Sequence, residues 1–163
     1  LEQVPDLVAV LAPVGGGGLL SGTAIAAKSL KPVIHVFGAE PERLNDAYQS
    51  LKTHQIQPAT GADSLADGLK TSLGSLTFPI IQESVDEILL TDEATIAQAM
   101  RWVFERMKLV VEPSGVVPLA AILNNLERLQ SDFWGRKIGV IFSGGNVDFA
   151  HLPFVETSPA SGD

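Results

Sequence analysis

An α/β fold, a mostly parallel sheet with helices on both faces, is what this 163-residue chain predicts. Three observations carry the prediction. Four short aliphatic runs, Leu7–Leu11, Val33–Phe37, Glu87–Leu90 and Ile138–Phe142, read as strands with the near-continuous apolar character of strands covered on both sides. Helix-length amphipathic segments separate them, the alternation that builds parallel sheets. The first run passes straight into four consecutive glycines and then a helical pattern.

Taken in order, the strand at Leu7–Leu11 leads through the glycines to a helix over about Leu19–Leu30, which Pro32 ends. The second strand follows at Val33–Phe37. Residues His54 to Gly74, rich in Thr, Ser, Gly and Asp, read as a long surface or site-lining loop. After the strand at Glu87–Leu90, Thr91 or Asp92 caps a helix through about Lys108, with Asp92 and Glu93 in its first turn and Arg106 and Lys108 in its last, matching the helix dipole. Ile96, Met100, Val103, Phe104 and Met107 form one stripe on it and are expected in the core. A further helix is expected from near Ser114 to about Leu129, before the last strand. Residues 1–152 read as one body, and the tail 153–163 is expected to be poorly ordered. Strand order is not legible, although right-handed crossovers restrict it.

Composition removes several function classes. Eleven Lys and Arg against nineteen Asp and Glu give a net charge of -8, which argues against a nucleic-acid partner. The absence of cysteine excludes disulfides, Fe–S clusters, thiolate zinc sites and cysteine nucleophiles, and points to a cytoplasmic location. The most apolar stretch, Leu7–Leu20, is broken by Pro13 and the glycines and is shorter than the roughly 20 residues of a membrane helix, so no membrane partner and no signal peptide are expected. The chain begins at Leu1 and enters a strand within six residues, as a piece of a longer protein would. His35, His54 and His151 show no metal spacing.

The chemistry concentrates at Gly15, Gly16, Gly17 and Gly18. At a strand-to-helix turn, four glycines let successive backbone N–H groups converge beside the positive end of a helix dipole, which is a cradle for phosphate. A tight turn alone would need one or two glycines, not four. Two cofactor classes use such a turn. A dinucleotide fingerprint is approximated by Gly16, Gly18 and Ser21, with Glu40 near the end of the next strand as the ribose-binding acid. A P-loop is excluded, because no Gly-Lys-Ser/Thr follows. The other class is a monophosphate cofactor, favoured by the second glycine turn after the last strand, Ser143-Gly144-Gly145-Asn146.

Six blocks occur together: VGGGGLLSG at Val14–Gly22, GAEP at Gly38–Pro41, ADG at Ala66–Gly68, ERMK at Glu105–Lys108, EPSG at Glu112–Gly115 and SGGNVD at Ser143–Asp148. In this order and spacing the chain resembles, from end to end, the serine racemase and catabolic serine/threonine dehydratase family of fold-type II pyridoxal-phosphate enzymes. The resemblance implies that residues 1–152 are the C-terminal part of the cofactor-binding large domain. It implies that Gly15 to Gly18 bind the phosphate of pyridoxal 5'-phosphate through backbone N–H groups, that Ser143 meets the pyridine nitrogen, that Gly68 lets the backbone lie on one face of the ring, and that Glu112 stands near the cofactor. A hydroxyl at the ring nitrogen leaves the ring neutral, a weaker electron sink that suits short-lived carbanions.

The same resemblance places a divalent cation, Mg2+ or Ca2+ or Mn2+, on the carboxylates of Glu40 and Asp46 and the main-chain carbonyl of Leu44, an all-oxygen set. Read without it, Asp46 is a helix-start acid and Glu40 a surface acid. Lys108 and Asn146 match positions that contact a nucleotide in mammalian members, and read by themselves as a helix-end lysine and a turn asparagine. The family's cofactor-binding lysine has no match among Lys28, Lys31, Lys52, Lys70, Lys108 and Lys137, so catalysis is expected to need an absent N-terminal half, and this chain alone is expected to be inactive. The implied activity is a dehydratase (ammonia-lyase), a racemase, or both, on serine- or threonine-like β-hydroxy amino acids, in a homodimer of the complete enzyme. The rival readings are a nicotinamide-dinucleotide module and an inactive phosphate-binding fragment.

Overall fold

A computed structural model describes residues 1–155 of the chain. Its sheet has four strands, β1 (Leu7–Pro13), β2 (His35–Pro41), β3 (Glu87–Thr91) and β4 (Lys137–Val140), in the order β3-β2-β1-β4 with every pairing parallel. Six helices surround it: α1 (Gly18–Leu30), α2 (Asp46–Thr53), α3 (Thr77–Ser84), α4 (Glu93–Trp102), α5 (Pro113–Asn124) and α6 (Leu126–Phe133). The expected fold class is present. Among the described residues no helix is long and apolar enough to cross a membrane.

Strand alternation divides the core into two layers. Ala9 and Leu11 of β1, Phe37 and Ala39 of β2 and Leu89 of β3 pack with Ile96, Met100, Val116, Val117 and Leu129 of α4, α5 and α6. Val10 and Ala12, Val36 and Ile88 face the other way, onto Leu20 and Ala24 of α1, Ala47 of α2 and Ile81 of α3. Leu20, Ser21 and Ala24 are the buried positions of α1, a stripe at helical spacing. The helix stops at Leu30, where the Lys31 N–H donates to Ala27 O and the Lys31 ammonium is drawn away to the carbonyls of Pro5 and Leu7.

Beyond β2 running on to Pro41 and β4 ending at Val140 rather than Phe142, three boundaries differ from the sequence expectation for an identifiable local reason. Val33 is 78% exposed and precedes the strand, because the Ile34 N–H closes a turn onto Lys31 O and pairing begins at His35. The helix expected through Lys108 is α-helical only to Trp102; Val103–Met107 widen into a π-helical turn and Lys108 ends it in the left-handed region at φ 58°. That widening rotates Met107 out of the core stripe to 52% exposure, whereas Ile96, Met100 and Val103 are fully buried. The helix expected over 114–129 divides at Asn125, whose side-chain amide donates to Ala121 O and to Leu90 O and competes with the helical ladder. Helix α3 has no counterpart in the sequence reading, and α2 is foreshadowed there only by Asp46 as a helix-start acid, the position it holds.

Of the tail segment 153–163, residues 156–163 lie outside the described residues; Phe154 stands edge-on to Phe104 at 5.6 Å between ring centres.

Candidate functional site

The strand order creates the site. The chain leaves β1 toward β2 and β3, then returns to place β4 on the other side of β1, so the carboxyl ends of β1 and β4 flank a switch point, where open α/β sheets leave a crevice. The glycine run follows β1 and the Ser143 turn follows β4 at this point.

Gly17 precedes α1 at φ 87°, a left-handed conformation that a side chain would resist. Among the described residues, the N–H groups of Gly15, Gly16, Gly17 and Gly18 donate to no protein acceptor, although Gly16 and Gly18 are exposed and Gly17 is buried. Three carbonyls of the same stretch are occupied: Gly17 O accepts from Ser21 N (2.9 Å), Gly18 O from Ser21 Oγ (3.2 Å), and Gly16 O from Gly74 N (3.2 Å) and Thr77 Oγ1 (2.7 Å). A turn with most acceptors satisfied and its donors unpaired, at a helix N-terminus, attracts an anion.

The other sequence-predicted residues join this turn through a short relay. The ideal Cβ direction of Gly15 ends 3.2 Å from Leu69 Cα and 3.5 Å from Gly68 O, so the Gly68 loop lies against the cradle. Gly68 N donates to Ser114 Oγ at 3.0 Å, on the first turn of α5. The neighbouring Gly115 has no room for a Cβ, because the Ser143 carbonyl occupies that space. Glu112 is the residue before α5, yet its carboxylate does not cap that helix; Oε2 accepts the N–H of Asn146 at 2.9 Å and pins the Ser143–Asn146 turn. Ser143 Oγ has no hydrogen-bond partner among the described residues. Gly15–Gly18, Gly68, Glu112 and Ser143 are thus neighbours. Lys108 is an exposed helix end whose ammonium donates to Glu105 O at 2.8 Å.

Glu40 and Asp46 sit farther along the same edge, and neither is a surface acid. Glu40 is 1% exposed; Oε1 accepts from Ala47 N and Oε2 from Tyr48 N, both at 3.0 Å, so a strand carboxylate caps α2. Asp46, the first residue of α2, is 2% exposed, and neither carboxylate oxygen has a donor. Burial pushes the Glu40 carboxyl up to about 8, with the negative charge of Asp46 adding to the rise, and pushes Asp46 up to about 6. Two buried carboxylates with vacant lone pairs fit a cation. Among the described residues no cluster of three or more His, Cys, Asp or Glu side chains forms, so any third ligand is a backbone oxygen or solvent. At 1% exposure, beneath the start of α2, Glu40 is closed to a ribose.

Sequence reasoning missed Thr77 and Ser114, the hydroxyls that tie the cradle and the Gly68 loop to helices. Ser114 stood inside one of the motif blocks; nothing marked Thr77, because its helix was not legible.

Comparison with known proteins gives the chain's relatives. Residues 1–144 match the family model described as pyridoxal-phosphate dependent enzyme. The chain is 51% identical over 154 residues to a serine racemase of Dictyostelium discoideum, covering 93% of this chain and 47% of that protein. It is 46% identical over 149 residues to an L-threo-3-hydroxyaspartate ammonia-lyase of Saccharomyces cerevisiae, covering 91% of this chain and 44% of that one. The crystal structure of a threonine deaminase from T.th. superposes with a TM-score of 0.82 at 47% identity, over 88% of this chain and 51% of that one. The chain spans about half the length of the curated relatives it matches.

Proposed function

The chain belongs to the pyridoxal-phosphate dependent enzyme family, and from that premise we propose that it is the C-terminal part of the cofactor-binding large domain of an enzyme acting on serine- or threonine-like β-hydroxy amino acids. The enzyme removes the α-proton, then either expels the β-hydroxyl, giving a keto acid and ammonia, or returns the proton to the α-carbon. The observation that carries this reading is the set of four unpaired glycine N–H groups beside the Ser143 turn at the β1/β4 switch point.

Pyridoxal phosphate, when bound, supplies the electron sink for α-proton loss. Gly15–Gly18 hold its phosphate without a cationic side chain, through N–H groups and the α1 dipole. The Ser143 hydroxyl donates to the ring nitrogen and keeps it uncharged. Gly68, fixed by Ser114, supports one ring face, and Glu112 serves this site by holding the Ser143 turn in place.

The lysine that carries the cofactor lies outside this chain. Positions of the six lysines support this: Lys28 pairs with Asp86 and Lys137 with Asp6, and Lys31 binds Leu7 O, all at the amino-end edge of the sheet, away from the glycines. Lys70 pairs with Asp63, Lys108 binds Glu105 O and Lys52 lies over the Tyr48 ring. The complete enzyme is read as a cytoplasmic homodimer, a reading supported by the exposed apolar side chains of Trp102, Met107, Leu109 and Val110 and by the absence of cysteine. A divalent cation, Mg2+, Ca2+ or Mn2+, on Glu40, Asp46 and the Leu44 carbonyl orders the β2–α2 corner away from the reacting carbon.

Reconstitution tests the proposal. The chain is assayed alone and together with the N-terminal half of the Dictyostelium relative, with pyridoxal phosphate and Mg2+, for keto acid, ammonia and D-serine from L-serine, L-threonine and hydroxyaspartate. Product only in the presence of both halves is expected. Turnover by this chain alone, abolished by one of its own lysine-to-alanine changes, would overturn it.

A further inference from the structure

Three carbonyls of the glycine turn are fixed, and they are fixed from two different places. Gly17 O and Gly18 O are held by Ser21, within α1 itself. Gly16 O is held by a distant stretch: Gly74 N at 3.2 Å and the hydroxyl of Thr77 at 2.7 Å. Because a trans peptide is planar, the Gly16 carbonyl and the Gly17 N–H point in opposite directions. A group that grips the carbonyl on one side therefore aims the N–H on the other.

We propose that Thr77 is the positioning residue of the phosphate cradle: its hydroxyl grips Gly16 O and so points the Gly17 N–H at the cofactor phosphate. The proposal rests on the reading of Gly15–Gly18 as that cradle and adds the group that sets its shape. Thr77 has a choice of acceptors, Gly16 O at 2.7 Å and Gly74 O at 3.1 Å, and the shorter contact goes to the cradle. The hydroxyl also accepts the Gly74 N–H at 3.1 Å, so the turn that delivers the second donor is closed by the same atom. Its base is rigid. Thr77 begins α3, whose Ile81 is fully buried, and the Phe78 N–H donates to Gly74 O at 2.9 Å. Thr77 Oγ1 lies 2.7 Å from where a Cβ on Gly17 would stand, so hydroxyl and cradle meet with no intervening group. Without this grip only the longer 3.2 Å contact from Gly74 N holds the Gly16–Gly17 peptide, and phosphate binding must then complete its ordering.

The test uses the 163-residue chain, with inorganic phosphate and pyridoxal phosphate as ligands followed by calorimetry and 31P NMR, and pyridoxal, which lacks the phosphate, as the control. Thr77→Val keeps the shape and removes the hydroxyl; Thr77→Ser keeps the hydroxyl. Thr77→Val is expected to weaken phosphate and pyridoxal phosphate binding about tenfold, the worth of one positioning hydrogen bond, to shift the 31P resonance of the bound ligand, and to leave pyridoxal binding unchanged. Thr77→Ser is expected to stay within about twofold of the unaltered chain. A purely structural threonine would lower the melting temperature while leaving the affinity of the folded protein intact, and that result overturns the proposal. A measurement on the unaltered chain stands independently of how the variants fold: phosphate titration should move the Gly17 amide resonance most among the four glycines, and an unmoved Gly17 resonance contradicts the proposal. Absence of phosphate binding by the unaltered chain would instead remove the cradle reading, and this inference with it.

Discussion

Gly17 and Gly18 are adjacent, equally glycine and predicted to respond oppositely to the same change. In Gly17→Ala a methyl group enters a residue at φ 87°, which costs about 1–2 kcal/mol for a left-handed non-glycine residue. The new Cβ also lands 2.7 Å from Thr77 Oγ1, 2.8 Å from Ile81 Cδ1 and 3.0 Å from Leu73 Cδ2. Overpacking of this kind costs about 1–3 kcal/mol. Together the loss is about 2–5 kcal/mol, a large part of the stability of a domain of ordinary size. Gly18 starts α1 and nothing lies within 4 Å of its Cβ position, so Gly18→Ala should be neutral or stabilise by about 0.5 kcal/mol through the unfolded chain. Urea unfolding of the three proteins, with equal slopes, gives the comparison. The reasoning is refuted if Gly17→Ala lies within about 0.5 kcal/mol of the unaltered chain, or if the two alanines cost the same.

Three more outcomes are expected. Gly115→Ala forces a Cβ into the Ser143 carbonyl, so it should displace the Ser143 turn and cost about 2 kcal/mol or more in urea unfolding; an unchanged midpoint would show that the α5–Ser143 contact is loose. Asp46→Asn should abolish binding of Mn2+, followed by its effect on water relaxation, while keeping the helices by circular dichroism; Mn2+ bound equally by the variant removes Asp46 from the cation site. Asp92 caps α4 by accepting from Thr95 N at 2.8 Å, and that N–H foremost, with the Asn124 amide, holds its carboxyl below the usual value of 3.8 against the opposing effect of burial. A lowered carboxylate stabilises fully above its unfolded pKa and ceases to do so as pH falls through its folded one. The cost of Asp92→Ala, about 1 kcal/mol near neutrality, should therefore persist down to about pH 4 and vanish in stronger acid; a cost unchanged in strong acid would show that charge plays no part.

What could be read in the sequence was what is local. Strands announced themselves because Leu7–Leu11 and its counterparts send aliphatic side chains into both core layers, and Asp92 was legible as a cap because its partner, Thr95, is three residues away. The cradle was visible because four consecutive glycines have few other uses. Elements fixed from a distance were at best half visible, as α2 was through Asp46 at its start. Helix α2 takes its cap from Glu40, a strand residue seven positions before Ala47, and its eight residues are too few to show a period. Helix α3 carries Pro79, which reads as a breaker, and is held by Gly74 and by its contact with the glycine turn. The split at Asn125 depends on Leu90 O, 35 residues away, and the π-helical turn at Val103–Met107 has no composition of its own. Within the candidate site, the motif residues were legible one by one, whereas the hydroxyls that lock them together, Thr77 and Ser114, became visible only with the backbone in place.

The central claim is that the turn at Gly15–Gly18 holds the phosphate of pyridoxal phosphate. Equilibrium dialysis of this chain against pyridoxal phosphate, with pyridoxal, inorganic phosphate and NADH as separate competitors, tests it directly. Saturable binding displaced by inorganic phosphate, only weakly by pyridoxal and not by NADH, is the predicted result. Binding that NADH displaces, or that pyridoxal reproduces without its phosphate, would contradict the account.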